Sequence, residues 1–125
     1  MDLLQKIEPL FSGWDETLIR SVLEGHMGYA LANGDSPTAA QVVIGGFCFF
    51  AGRASAAFAA GAKGIEIVPQ NESWCRAIER AWGDRVMKRL RYAIKKEPDA
   101  FRRDTLQYYV DSLPNGYELR LFDES

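Results

Sequence analysis

The chain has 125 residues, 47% of them apolar and 26% charged, which suits one globular domain that buries a core without disulfide or metal staples. A net charge of −2 offers no basic footprint for a nucleic-acid partner. No apolar run approaches the roughly 20 residues needed to cross a bilayer, and the N-terminus, with Asp2 and no basic cluster, is not expected to be a secretory signal.

Residues 2–11 have helical spacing, with Leu3, Leu4, Ile7 and Phe11 on one side. Ser12 is the expected cap of a second helix carrying Trp14, Leu18 and Val22, ended by Gly25. Met27 to Leu31 is a candidate strand, followed by turn chemistry at residues 33–37, Asn-Gly-Asp-Ser-Pro.

From Ala40 to Phe50 the chain is apolar on both faces. This is the mark of a central strand, or of two strands meeting at Gly45-Gly46 through a turn or bulge. The alanine-rich stretch 53–62 is read as a helix and 65–68 as a short strand. Asn71 is placed to cap a helix bearing Trp74, Ala77, Ile78 and Ala81, which Gly83 stops. Residues 85–96 alternate, with Val86, Leu90, Tyr92 and Ile94 on one face and Arg89, Arg91 and Lys95 on the other, so a strand is expected. Pro98 breaks it. A helix over 104–113 is expected to turn Leu106, Tyr109, Val110 and Leu113 inward, and 117–122 reads as a last strand. The expected fold is α+β in one domain, 1–125, with a mixed, largely antiparallel sheet including 40–50, 65–68, 85–96 and 117–122, and helices packed on it.

Candidate chemistry is sparse. The glycines from Gly45 to Gly64 lie where phosphate cradles are built, yet they match neither the Walker spacing nor the dinucleotide fingerprint, and are read as bends in a buried strand. Arg80-Ala-Trp-Gly83-Asp-Arg85 is a near miss to a pyrophosphate loop. Its last position is an arginine, and its glycine ends a helix rather than opening one. Cys48 and Cys75 show no Cys-x-x-Cys spacing and His26 is the single histidine, so no metal site is expected and both thiols are expected free in the cytoplasm. His26 sits between glycines beside Glu24, as a general base or as a turn residue. The segment 85–103 holds eight cations against Glu97 and Asp99, and Arg89 and Arg91 share a face suited to an anion. His26, Gln70, Arg89 and Arg91 are the expected polar patch toward a substrate or partner. No catalytic, cofactor-binding or metal-binding residue is assigned.

Several blocks taken together carry a resemblance. Trp14-Asp-Glu-Thr-Leu-Ile19, Leu23-Glu-Gly-His-Met-Gly28, Gly46-Phe-Cys-Phe-Phe-Ala-Gly52, Val68-Pro-Gln-Asn-Glu-Ser-Trp74, Arg91 to Phe101 and Ser112 to Leu119 resemble, in order, the front half of a bacterial group within the GNAT N-acetyltransferase superfamily. Acetyltransferases of the zwittermicin-resistance type belong to that group. The resemblance implies a chain about half the length of its relatives, lacking the later acetyl-CoA-binding core. It therefore implies an N-terminal domain that binds no cofactor and is inactive alone, with acetyl-CoA used only by a complete family member. The implied partner is the C-terminal acetyltransferase domain or, for a stand-alone interaction module, a second copy; no nucleic acid or membrane is expected.

Overall fold

The computed structural model describes residues 1–94 and 97–122. The chain divides into two compact units, Met1–Lys88 and Arg89–Ser125.

The first unit is built on a four-stranded sheet whose spatial order, β1-β2-β3-β4, follows the chain. The strands are β1 (Tyr29–Ala32), β2 (Ala39–Ile44), β3 (Phe47–Gly52) and β4 (Glu66–Pro69). The first two ladders are antiparallel, and β4 joins β3 in parallel after a crossover. Of the two readings of 40–50, the pair of strands is the one found. Gly45 and Gly46 close the β2–β3 hairpin at φ +54° and +88°, the pair of positive φ values that a two-residue type I′ turn demands.

Helices cover both faces of this sheet, which is why β2 and β3 read as apolar throughout. On one face, Ala40, Val42, Ile44, Phe49 and Ala51 pack against Ile7 of α1 (Leu3–Ile7), Phe11 of a following 3-10 turn, and Ile19 and Val22 of α2 (Thr17–Leu23). On the other, Val43, Cys48 and Phe50 pack against Ala59 of α3 (Ala56–Ala59) and Trp74, Ala77 and Ile78 of α4 (Glu72–Trp82). Successive residues of one strand point to opposite faces, so a strand covered on both sides shows no polar positions. Gln41 is the buried exception at 2% exposure. Its Nε2 donates to the Gly61 carbonyl at 2.8 Å and its Oε1 accepts from Lys63 N at 3.2 Å, so neither end of the amide is left unsatisfied.

Helix ends follow local chemistry. Asp2 and Gln5 form a capping box at α1, with bonds of 2.9 and 3.0 Å, and Pro9, which cannot donate to a helical ladder, falls in the 3-10 turn Glu8–Phe11. Asn71 caps α4 as expected, accepting from Trp74 N at 3.1 Å, and Gly83 ends it. Beyond Gly83, the Arg85 guanidinium donates to the Ala81 and Trp82 carbonyls and lies 4.7 Å from the Trp82 ring centre, satisfying acceptors that the helix leaves open.

Three expectations for these elements need correction. Ser12 does not cap α2, which begins at Thr17: it ends the 3-10 turn Glu8–Phe11, and the Trp14 N–H bonds back to the Phe11 carbonyl at 3.1 Å, holding residues 11–14 in a turn. The 53–62 helix shrinks to four residues capped by Ser55; beyond it the Gly61 and Ala62 N–H groups reach back only three residues, to the Phe58 and Ala59 carbonyls at 3.1 Å, a tightened last turn. Residues 85–94 and 117–122 form no strand among the described residues, while Lys95 and Lys96 lie outside them. Alternation marks one face as apolar, but a strand also needs a neighbouring backbone for its hydrogen bonds.

In the second unit, α5 (Arg103–Asp111) forms where a helix is expected, but none of its residues is buried. Leu106, Tyr109, Val110 and Leu113, expected inward, are all exposed. Among the described residues nothing buries their stripe, so the amphipathic pattern fixes a face without burying it. The unit is held by local contacts. Ser112 Oγ donates to the Tyr108 carbonyl at 2.7 Å and Gln107 pairs with Asp111 at 2.9 Å, while the Tyr108 and Tyr109 rings meet edge-on at 5.7 Å.

Candidate functional site

Beside the first helices lies an open cleft of about 480 Å³, lined by residues that include Gln5, Glu8, Phe11, Trp14, Asp15 and Arg20. Its apolar wall is Trp14, half-buried, which meets Phe49 edge-on with ring centres 5.7 Å apart. The charged rim grows out of α2. Arg20 reaches Glu8 at 3.2 Å and Glu24 at 3.5 Å, and Glu24 in turn lies 3.5 Å from His26 Nε2. Cleft rim and histidine are thereby linked through one carboxylate. All four side chains stand about half or more exposed, where water screens each pair to about 0–1 kcal/mol. An indole wall with more carboxylates than cations suits a polar, cationic ligand better than an anion.

The main chain at His26 has a structural duty. Its N–H bonds to the Ser21 carbonyl at 3.0 Å and that of Gly25 to Val22 at 2.9 Å, the two bonds of a Schellman ending. Of the glycines flanking His26, Gly28 lies where the protein packs on itself, since a Cβ there would collide with the Val43 carbonyl oxygen.

Gln70 lies just after β4 and is engaged at both ends. Its Nε2 donates to the Leu10 carbonyl at 2.7 Å and its Oε1 accepts from Gly52 N at 3.0 Å. It is a clasp between β3, β4 and the segment before α2. Arg89 and Arg91 lie in the second unit, exposed and outside any helix or strand. Residues that alternation had not marked do most at the rim: Arg20 in α2 and Glu24 just past its end lie one helical turn apart, a spacing that signals pairing.

The glycine-rich stretch does not form an anion cradle. Gly45 and Gly46 turn the hairpin. Gly52, at φ +94°, sits where a Cβ would strike the Thr38 carbonyl oxygen, so its role is close strand pairing. The N-terminus of α4 is closed by its own Asn71 side chain, and Gly83 lies at the carbonyl end of that helix, where an anion is repelled. These residues do not fit the pyrophosphate of a coenzyme. Cys48 is fully buried, and burial pushes its thiol pKa up from the ordinary 9.0, which makes it a poor nucleophile. Cys48 and Cys75 are both free. Among the described residues no cluster of three or more His, Cys, Asp or Glu side chains is arranged to hold a metal ion, and no helix is long and apolar enough to cross a membrane.

The family model described as GNAT acetyltransferase matches residues 8–125. A solved structure, the GCN5-related N-acetyltransferase-like protein from Streptococcus suis, superposes with a TM-score of 0.73 at 35% sequence identity. The match covers 90% of this chain and 47% of that one, so the chain spans about half the length of that protein. No curated protein matches.

Proposed function

The chain belongs to the GNAT acetyltransferase family, and from that premise we propose that it is the N-terminal, non-catalytic part of an N-acetyltransferase, acting in the cytoplasm. In this reading it supports the catalytic part and contributes to acceptor binding, while transfer from acetyl-CoA to an amine belongs to the whole protein. The observation that carries the reading is the extent of the match: most of this chain at 35% identity, against less than half of the Streptococcus suis protein.

The chemistry agrees with this division of labour. Acetyl transfer needs a thioester held through its carrier, a polarised carbonyl, and an acceptor amine deprotonated by a nearby base. The carrier's diphosphate calls for converging backbone amides, and in this chain the glycines and the N-terminus of α4 are committed to other tasks. The indole wall and carboxylate rim near Glu24 are better suited to an ammonium group, the resting form of an acceptor amine.

Titration calorimetry of this chain with CoA tests the proposal. The expected result is no binding tighter than roughly 1 mM, a free energy near −4 kcal/mol. Micromolar binding to this chain would overturn the non-catalytic assignment. A second reading, an interaction module that dimerises, is favoured by the exposed apolar side chains of the second unit, including Tyr92, Leu121 and Phe122. Sedimentation equilibrium separates the two: a stable dimer supports the module, a monomer the domain.

A further inference from the structure

The second unit carries two apolar stripes with two-residue spacing. Leu90, Tyr92 and Ile94 form the first and Tyr117, Leu119 and Leu121 the second, with exposures from 69% to 90%. The ion pair between Arg120 Nη2 and Glu118 Oε1, at 2.8 Å, joins residues two apart. It puts both side chains on one side of the chain and leaves 117, 119 and 121 for the other, as in an extended strand. Neither stripe belongs to the sheet among the described residues. Between them α5 displays Leu106, Tyr109 and Val110 to solvent.

Single exposed apolar residues are ordinary, but two alternating runs and a helical stripe within one short unit form a patch that marks an interface. The unit is no stray tail, because the family model covers all of it. The unmatched tenth of this chain is also too short to contain the unit, so part of it lies within the Streptococcus suis match. Just over half of that protein lies outside the match and offers further chain to cover these residues.

We propose that segments 89–94 and 117–122 are latent β-strands that add to the sheet of the catalytic acetyltransferase half, with α5 packing beside them, so that the two halves share one sheet. This rests on the assignment of the chain as part of an acetyltransferase. Strand addition satisfies backbone groups that an unpaired extended segment leaves to water, and the alternating side chains supply register. The cations Arg89 and Arg91 fall on the face opposite Leu90 and Tyr92, which leaves the apolar face free to be covered.

Amide hydrogen exchange tests this on three proteins: the 125-residue chain, a chimera joining it to the unmatched part of the Streptococcus suis protein, and that intact protein. Amides of 89–94 and 117–122 are expected to exchange about 100-fold more slowly in the chimera than in the 125-residue chain, with β2 and β3 unchanged. The aligned segments of the intact protein are expected to be slow as well. Fast exchange in a folded chimera overturns the proposal. Should the chimera not fold, fast exchange in the intact protein overturns it equally, and slow exchange there supports it. Protection that rises with concentration in the 125-residue chain alone also overturns it, naming a second copy as the occupant. None of these readouts needs turnover. Slow exchange without acetyl transfer by the intact protein would leave the shared sheet standing and remove the enzymatic reading, whereas fast exchange with transfer would do the reverse.

Discussion

The units Met1–Lys88 and Arg89–Ser125 are written in the same hydrophobic grammar, yet it has opposite outcomes in them. In the first, the apolar faces of β2, β3 and α4 close on one another, and Trp74, Phe49 and Phe50 are fully buried. In the second, α5 has an apolar stripe of the same helical kind and buries nothing. Periodicity therefore reports which side of an element is apolar, while burial depends on whether a second surface is present to meet it.

Substitutions should widen this contrast. Trp74 meets the Phe50 and Phe58 rings at 5.2 and 6.4 Å and donates to the Gly52 carbonyl at 2.9 Å. Trp74→Ala is expected to lower stability by about 3–5 kcal/mol in urea titrations; a loss below about 1 kcal/mol would show that the first unit is not packed as described. Gly52→Ala faces both the positive φ and the Thr38 carbonyl, with an expected cost of about 1–3 kcal/mol in the same assay. Gln70→Ala leaves Gly52 N and the Leu10 carbonyl without their partner and is expected to cost about 1–2 kcal/mol. Tyr109→Ala on α5 should change stability by no more than about 0.5 kcal/mol, and a larger loss would erase the distinction between the units.

The thiol of Cys48 gives the pH arm. Burial raises its folded pKa above the ordinary 9.0, so the folded state favours the thiol over the thiolate. That contribution is fully present below pH 9 and is lost as pH climbs through the raised value. The stability of the native chain relative to Cys48→Ala is therefore expected to stay flat below pH 9 and to fall above it. A difference that stays flat to pH 11 would mean that Cys48 is solvated.

Where local signals agreed, the fold was legible. Asn71, the Trp74–Ala77–Ile78 spacing and Gly83 all specify one helix, and α4 runs as they require. The run 40–50, apolar on both faces apart from Gln41, foretold strands covered on both faces. Elsewhere the deciding partner was distant in sequence. The turn after α3 is held by Gln41, which bonds the Gly61 carbonyl from 20 positions upstream, and Gln70 takes its clasp from Leu10, 60 positions away. Nothing local announces either bond. Residues 85–94 and 117–122 misled for another reason: their alternation is genuine, but a strand is defined by a pair. Of the candidate site, His26 was visible as a lone histidine, whereas its link to Arg20 through Glu24 appears only once α2 ends in a tight turn.

Because strand order in the sheet equals chain order, the sheet of the first unit can zip up neighbour by neighbour. The segment between β3 and β4 is a longer excursion, and the Gln70–Leu10 bond joins positions 60 apart. Pairing strands that are neighbours in the chain keeps the loops to be closed for the sheet short, which lowers the entropy cost of forming it, with the clasp expected to be the last piece to lock.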